Sequence, residues 1–299
     1  MQVHDVDLRL LRIFVAIVEC GGLSAAESRL NIGRSTISAH LSDLEVRLGI
    51  KLCSRGRSGF ELTDMGRVTY QASLELLQQC AAFASTVASS KNELSGRVTI
   101  ATIDTLINDP RCGVARVISA LKTKSDNIQF DINVCEAREV ETSVINGRSL
   151  VGLGVSRHHL RGLDYYPLHN ETNYLYCGKG HPLFNGKPSE IKSLLQEAEV
   201  ITSHYMRDKE ARNDGLNYQN SATAYHEEGI AHLILSGEFI GYLPEYYANN
   251  WVDKGLFKPI LPDKYSYQIP VMLISSKNNN TSPLAKALIE EIKRCHVTV

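Results

Sequence analysis

Two short amphipathic segments joined by a tight turn, within residues 23–49, constrain this chain more than any other feature. Ser24 followed by Glu27 matches a capping box, in which a hydroxyl and a carboxylate each accept a hydrogen bond from an amide at a helix start. A helix is therefore predicted to begin near Ala25. Gly33 is predicted to supply the permissive backbone that the sharp turn requires.

The second segment predicts a helix from Ser35 with one apolar stripe and one polar face. The stripe consists of Ile37, Leu41, Leu44 and Leu48, spaced three or four residues apart, and Gly49 is placed to end the helix. Short polar side chains on the other face suit a helix laid into a DNA major groove, where hydroxyls, Arg and His bond base edges or phosphates. An ordinary helix pair in a bundle is the alternative. The candidate DNA contacts here are Ser24, Arg34, Ser35, Thr36, Ser38 and His40.

Composition and charge limit the classes of protein that the chain can represent. With 43% hydrophobic and 22% charged residues, its 299 residues suit a globular protein of two or three domains. The net charge is −1, and residues 1–67 carry nine Lys and Arg against eight Asp and Glu. A DNA contact would therefore depend on locally placed charge and not on a basic chain.

No pattern in the sequence indicates a membrane, a disulfide framework or a metal. No apolar run is long enough to cross a bilayer, and the first residues lack the features of a signal peptide, so we expect a cytoplasmic protein. The seven cysteines are odd in number and widely spaced, without a C-x-x-C pair. His158 and His159 have no third ligand at a recognisable spacing. We therefore predict no cofactor.

The segments that flank the helix pair complete a small winged domain. Residues 7–19 predict a helix with one apolar side, which forms the third wall of the core. Residues 51–53 and 60–62 are strand-like and are joined by a basic, glycine-bearing loop, which predicts a hairpin. Arg55 and Arg57 in this loop are placed to meet phosphates or to enter a minor groove.

A long helix follows, and a domain this small cannot bury its apolar side. Thr63 and Asp64 predict its start, and it runs to about Ser90. An apolar seam predicts that the helix pairs with a copy of itself, giving a homodimer. The seam consists of Met65, Val68, Ala72, Leu76, Cys80, Phe83 and Val87.

Beyond residue 96, strand-like and helix-like segments alternate, which predicts parallel βαβ units. Strands at 98–101, 128–134 and 150–155 with helices at 112–121 and 140–145 form a first unit. Strands at 174–177, 200–202 and 239–243 with helices at 189–196 and 227–235 form a second, and residues 268–295 return to the first. Two parallel-sheet lobes joined by two crossovers predict a clamshell that binds its ligand at the carboxyl ends of the strands.

Two loops at strand ends carry the candidate contacts to a small-molecule ligand. Hydroxyls and amides beside a helix start suit an anionic group, although Asp104 argues against a simple carboxylate there. Each Thr or Ser could equally cap a helix. The candidates are Thr102, Ile103, Asp104 and Thr105 in the first lobe, and Thr202, Ser203 and His204 opposite them. Thr102 and Ser203 are the two that we single out.

Four stretches together resemble the LysR-type transcriptional regulators. They are LRLLRIFVAIVECGGLSAAESRLNIGRSTISAHLSDLEVRLGIKL, RSGFELTDMG, GHPL at residues 180–183 and SGEFIGYLPEYY at residues 236–247. The resemblance implies an α/β protein with an N-terminal winged helix-turn-helix, a dimerising linker helix and a two-lobed effector domain similar to periplasmic binding proteins. It also implies promoter DNA, a small-molecule effector and RNA polymerase as partners, and a homotetramer. Arg34 stands where the family often has Gln, and Ala39 where Arg is frequent, so the operator preference is expected to differ.

This resemblance and the patterns above predict the domain boundaries. Residues 1–63 form the winged domain, 64–91 the linker helix and 92–96 a hinge. Residues 97–299 form the effector domain, with lobe 1 at 97–165 and 267–299 and lobe 2 at 166–266.

Two other functions compete with an effector-controlled regulator. A redox-sensing regulator would oxidise a pair such as Cys112 and Cys135, although nothing around them indicates a lowered thiol pKa. An enzyme on the clamshell fold would use Cys177 near His181, but no acidic partner is evident. We therefore expect a protein that is not an enzyme.

Overall fold

The computed structural model describes residues 4–56, 59–89, 94–156, 159–203, 216, 218, 222–277 and 282–296. The chain divides into two compact units, Met1–Asn92 with Asn146–Arg148, and Glu93–Ile145 with Ser149–Val299. They are the N-terminal unit and the C-terminal unit.

The N-terminal unit is a three-helix core with a hairpin and a long helix. Its elements are α1 (Asp5–Glu19), α2 (Ala26–Leu30), α3 (Arg34–Leu48), β1 (Cys53–Gly56), β2 (Gly59–Leu62) and α4 (Asp64–Ser89). The antiparallel hairpin pairs Cys53 with Leu62 and Gly56 with Gly59. Phe14, Ile17 and Leu44 are fully buried between the helices. The predicted helices and hairpin are therefore confirmed.

The turn between α2 and α3 differs from the prediction in two respects. Asn31, with φ 53°, is the left-handed residue, whereas Gly33 has φ −68° and is the N-cap of α3. Asn tolerates the left-handed region because its short polar side chain can bond locally. The predicted capping box is wrong, because α2 starts after a helical Ala25 that makes no side-chain cap.

The start of α4 is fixed by a cap and by a close approach of two backbones. The Thr63 hydroxyl accepts a hydrogen bond from the Gly66 amide at 2.9 Å, which confirms the predicted cap. A Cβ atom on Gly66 would lie 2.0 Å from the carbonyl oxygen of Leu52, so only glycine fits. Leu74 is buried, and the Tyr70 ring meets Phe14 of α1 edge-on. One face of α4 is thus used inside the unit.

The C-terminal unit consists of strands with helices packed on them. Its first part comprises β3 (Gly96–Thr102), a 3₁₀ turn (Leu106–Asn108), α5 (Val114–Lys124), β4 (Ile128–Val134), α6 (Ala137–Ile145), β5 (Val151–Val155), β6 (Leu163–Gly178), α7 (Pro182–Asn185) and α8 (Ile191–Glu197). Its second part comprises β7 (Glu199–Val200), β8 (Thr202–Ser203), β9 (Thr223–Ala224), α9 (Glu227–Leu235), β10 (Phe239–Pro244), α10 (Glu245–Val252), β11 (Phe257–Pro259), β12 (Ser266–Ser276) and α11 (Pro283–Cys295).

The prediction of two separate parallel sheets is wrong. Among the described strands, one mixed sheet runs in the order β4-β3-β5-β12-β6-β10-β7, with β11 also paired to β6. Strands β3, β4 and β5 are parallel as predicted, but β12 is antiparallel to both β5 and β6, and β10 is antiparallel to β6. The error arose because short apolar strands look alike in sequence whichever way they run.

Separate apolar clusters nevertheless give the unit two lobes. Lobe 1 packs α5, α6 and α11 around Val98, Ile100, Val144 and Leu288. Lobe 2 has two clusters, one around Leu195 and Ile240 and the other around Ile234 and Leu243. Strands β6 and β12 extend from one lobe into the other.

Candidate functional site

Helix α3 presents the predicted small, polar surface. Ile37, Leu41 and Leu44 are buried, and at 100° per residue the opposite side carries Ser35, Ala39 and Ser42. Arg34, Ser35 and Thr36 are exposed, whereas Ser38 and His40 are half-buried on the flanks. Ser24 is exposed before α2. The helix therefore offers a surface that a nucleic acid can approach closely.

Buried carboxylates hold α3 in place. Asp7 of α1 accepts hydrogen bonds from Arg47 of α3 and from the His4 amide. The bond from Arg47 lowers the pKa of Asp7 to about 2. Glu45 of α3 accepts from the Leu52 amide at 2.8 Å and from Lys51 at 2.8 Å. The base of the hairpin is thereby tied to α3.

The hairpin itself is only partly described. Arg55 lies in β1, opposite Phe60. Arg57 lies outside the described residues.

In the C-terminal unit, the loop after β3 meets two lobe-2 helices at their first turns. Asp104 Oδ2 accepts a hydrogen bond from the backbone amide of Glu227, the first residue of α9, at 3.1 Å, and His226 Nδ1 lies 3.7 Å from the same oxygen. The Thr105 hydroxyl lies 3.5 Å from the hydroxyl of Tyr246 on α10. Thr105 has φ 64°, an unusual conformation for a β-branched residue that is maintained by its surroundings.

A buried glutamate on the shared strand β6 joins these contacts. Tyr246 donates to Glu171 Oε2 at 2.7 Å, and Asn173 donates to Oε1 at 2.8 Å. Burial raises the pKa of Glu171, although the two donors act in the opposite direction. Burial and the nearby Asp104 carboxylate raise the pKa of Glu227. The carboxyl groups of Asp104, Glu171 and Glu227 thus lie near one another where the two lobes meet.

A second buried carboxylate lies close by in lobe 1. Asp109 accepts from Arg111 through both carboxylate oxygens at 2.9 Å, and His169 Nε2 lies 2.8 Å from Oδ2. Burial alone would raise the pKa of Asp109, but the hydrogen bonds from His169 and Arg111 outweigh it and hold the pKa well below its usual range. Arg111 also donates to the carbonyl of Asn170 on β6 at 2.7 Å, which links the loop to the shared strand.

The other predicted ligand contacts have varied surroundings. Ile103 packs into the lobe-1 core, and Thr102 is only 9% exposed. Thr202 and Ser203 pair with β9, the strand that leads into α9. The Thr202 hydroxyl is buried without a hydrogen-bond partner in the described part of the chain. His204 lies outside the described residues.

Comparison with known families identifies both units. Residues 8–67 match the model described as "Bacterial regulatory helix-turn-helix protein, lysR family", and residues 91–295 match "LysR substrate binding domain". The chain belongs to the LysR family of transcriptional regulators. This LysR-type regulator is 39% identical over 292 residues to the HTH-type transcriptional activator BauR of Pseudomonas aeruginosa, covering 97% of this chain and 96% of BauR.

Solved structures agree with the LysR fold. A full-length OxyR variant from Pseudomonas aeruginosa superposes with a TM-score of 0.63 at 19% identity, covering 99% of this chain and 96% of that one. Full-length CbnR in complex with its target DNA gives a TM-score of 0.61 at 18% identity, covering 96% of this chain and 99% of that one. These likenesses concern the fold alone. The predicted α/β fold class, with a helix-turn-helix followed by an effector-binding domain, and the main predicted function, a LysR-type transcriptional regulator, are confirmed.

The geometry of this LysR-type regulator supports neither the redox-sensing function nor the enzymatic one. Its family is not an enzyme family. Burial raises the pKa of Cys112, which disfavours the reactive thiolate, and raises that of Cys177 to about 11. His181, the proposed partner of Cys177, is a helix cap: its Nδ1 accepts from the Leu183 amide at 3.1 Å.

The histidine pair considered for a metal is only partly described. His159 stacks on Tyr165, and His158 lies outside the described residues. In the described part of the chain, no three His, Cys, Asp or Glu side chains are grouped to hold a metal. No helix there is long and apolar enough to span a membrane.

Sequence reasoning missed several polar groups around both sites of the LysR regulator. Tyr246 and Glu171 are 75 residues apart in the chain and meet only in the fold. Tyr246 lies within a stretch that resembles the family, which was a signal but did not indicate a partner. Glu27 was recognised as a capping residue but was assigned to the wrong helix, since its carboxylate accepts from the amide of Arg34.

Proposed function

We propose that this LysR-type regulator binds promoter DNA through α3 and the β1–β2 hairpin, and that a small molecule bound between the lobes controls it. The proposal includes the domain assignment made from the sequence: residues 1–63 bind DNA, 64–91 dimerise, 92–96 act as a hinge and 97–299 bind the effector. The observation that carries the DNA-binding part is the exposed, polar face of α3. The contacts to DNA are Ser24, Arg34, Ser35, Thr36, Ser38, His40, Arg55 and Arg57.

The linker helix supports a homodimer, and two dimers form a tetramer. Val68 is 62% exposed and Phe83 is 72% exposed, although both belong to one apolar seam. Seams of this kind are buried in coiled coils. In a dimer the two α3 helices can occupy successive major grooves on one side of the duplex. The name of BauR supports activation as the direction of control, with RNA polymerase as the further partner.

The contacts that the loop after β3 makes with α9 and α10 of lobe 2 support an effector site at this loop. Asp104 and Thr105 contribute from lobe 1, and Thr202 and Ser203 from lobe 2, with Thr102, Ile103 and His204 completing the set. The Asp104 carboxylate already accepts a hydrogen bond from the first amide of α9. A simple anion would have to displace this carboxylate to bind at the same helix start. The carboxyl groups near this loop favour an effector that donates hydrogen bonds. Binding changes the angle between the lobes, and the linker helices transmit that change to the paired α3 helices.

The DNA-binding part is tested with the full-length protein and a random duplex library. We expect enrichment of one sequence class, bound about 10³-fold more tightly than a scrambled duplex at physiological salt. Arg34→Ala is expected to lose about 1–3 kcal/mol of that preference. Arg97→Ala, which removes an exposed ion pair of the C-terminal unit, is the control. A monomeric protein that prefers no duplex would contradict the proposal.

The effector site is tested by a thermal-shift screen of amino acids, amines and organic acids, followed by calorimetry on the compound that stabilises the protein. A ligand that binds only the native state raises its melting temperature. The Thr102→Ala and Ser203→Ala double variant is expected to bind that compound more weakly. Thr123→Ala, on the exposed side of α5, is the control. Unchanged affinity in the double variant would exclude this placement of the effector.

A further inference from the structure

The first turn of α3 is capped by a side chain from the preceding helix. Gly33 is the N-cap residue of α3 and has no side chain that could accept a hydrogen bond, and α3 has no side-chain cap of its own. Glu27 Oε1 accepts the backbone amide of Arg34, the first residue of α3, at 2.5 Å. One of the amides in the first turn of α3 that have no partner within the helix is thus satisfied by a side chain of α2.

Helix α2 holds this carboxylate in a fixed place. Ala26, next to Glu27, is completely buried, and Leu30 packs against the same core. Arg29 pairs with Glu19 of α1 at 2.6 Å. Since the backbone of α2 is anchored on both sides, the Glu27 side chain defines where α3 begins relative to α1 and α2.

Arg34, Ser35 and Thr36 lie at this end of α3 and are exposed. We propose that Glu27 is a positioning residue for DNA recognition: its carboxylate fixes the first turn of α3 and thereby the approach of Arg34, Ser35 and Thr36 to the bases. This inference rests on the proposed function, because it requires that α3 contacts DNA. In this proposal Glu27 acts through α3 and not through a contact of its own to a base.

The carboxylate has two effects on DNA binding, and they have opposite signs. Fixing the first turn favours the specific complex, because base contacts need side chains in defined positions. Its negative charge repels phosphates and weakens binding to any duplex. The cap depends on the reach of the side chain and the repulsion depends on its charge, so two conservative substitutions separate them.

Glu27→Asp keeps the charge and shortens the reach by one methylene group, whereas Glu27→Gln keeps the reach and an acceptor oxygen but removes the charge. Affinities for an enriched duplex and for its scrambled counterpart are measured by fluorescence anisotropy over a range of salt concentrations. We expect Glu27→Asp to lose about tenfold in affinity for the enriched duplex, a factor that corresponds to the free-energy cost of losing a helix cap. Its affinity for the scrambled duplex is expected to stay unchanged. Glu27→Gln is expected to bind both duplexes more tightly by similar factors, with an unchanged salt slope because no phosphate contact is lost.

Asp43→Asn is the matched control, because it removes an exposed carboxylate from α3 that is far from the first turn. It is expected to leave the preference for the enriched duplex unchanged. Circular dichroism establishes that every variant is folded at the temperature of the measurement. Equal losses for both duplexes in Glu27→Asp would indicate a structural role only and overturn the inference. The inference would also be overturned if Glu27→Asp kept the wild-type preference for the enriched duplex. A wild-type protein that shows no preference for the enriched duplex would refute the proposed function instead.

Discussion

Asp109 is a fully buried carboxylate whose partners are Arg111 and His169. Asp109→Asn would leave the Arg111 guanidinium, whose side chain is 27% exposed, facing a neutral amide. Breaking a buried charge pair in this way typically costs about 3–5 kcal/mol. We therefore expect the free energy of unfolding of the C-terminal unit to fall by about that amount, measured by urea unfolding with Trp251 fluorescence.

Asp131→Asn is the control for this change. Asp131 pairs with Arg97 at 2.9 Å, but both side chains are more than half exposed, so about 0–1 kcal/mol is expected. The wild-type protein should also lose stability as the pH falls below about 4, since the pKa of Asp109 is lower in the folded chain than in the unfolded one. Equal losses in Asp109→Asn and Asp131→Asn would contradict the role assigned to Asp109.

At the scale of elements, helix α4 has two apolar faces with different uses. Tyr70 packs on Phe14 of α1 and Leu74 on the same side is buried, whereas Phe83 on the seam is exposed. We expect Phe83→Lys to weaken the dimer and shift the protein toward monomer at low micromolar concentration, because a charged residue in a coiled-coil seam is costly. Analytical ultracentrifugation measures the shift.

Ala81→Lys adds the same charge to an exposed position on the other side of α4, and it should leave the dimer intact. A monomer–dimer equilibrium that responds equally to both changes would exclude the seam as the interface. The seam itself was predictable from sequence, because apolar residues at spacings of three and four define one helix face. That Tyr70 packs on α1 was not, since nothing local distinguishes a residue packed on its own chain from one packed on a partner.

The helix-turn-helix also shows that local patterns are predictable from sequence whereas contacts between elements are not. The stripe of Ile37, Leu41 and Leu44 predicted the burial of α3 correctly, because periodicity is a local property. The role of Glu27 was mispredicted because Ser24 and Glu27 have the spacing of a capping box. In the fold, the Glu27 carboxylate instead accepts from the amide of Arg34, seven residues away. Asp104 was a candidate from the sequence, but its contact with Glu227 was missed because the two residues are 123 positions apart in the chain.

At the scale of the whole C-terminal unit, the mixed sheet joins the two lobes. Strand β6 pairs with β12 along residues 266–276 and also with β10 and β11 of lobe 2, while β12 pairs with β5 of lobe 1. Two lobes connected only by crossovers, as the sequence predicted, could unfold one after the other. Lobes that share two long central strands should unfold together, because neither lobe keeps its sheet when those strands leave it.

Each lobe contains its own probe of unfolding, so joint unfolding of the two lobes can be checked directly. Trp251, the single tryptophan of the chain, stacks on Phe257 in lobe 2, and the buried Cys135 and Cys295 lie in the lobe-1 core. We expect Trp251 fluorescence and pulsed alkylation of Cys135 and Cys295, resolved by peptide mass spectrometry, to give coincident urea transitions, which is the mark of a two-state unit. The partly exposed Cys20 of the N-terminal unit is the control for reagent reactivity. Separate midpoints for Trp251 and the two lobe-1 thiols would mean that the shared strands do not couple the lobes, and a lobe rotation driven by an effector would then need another route to the linker helix.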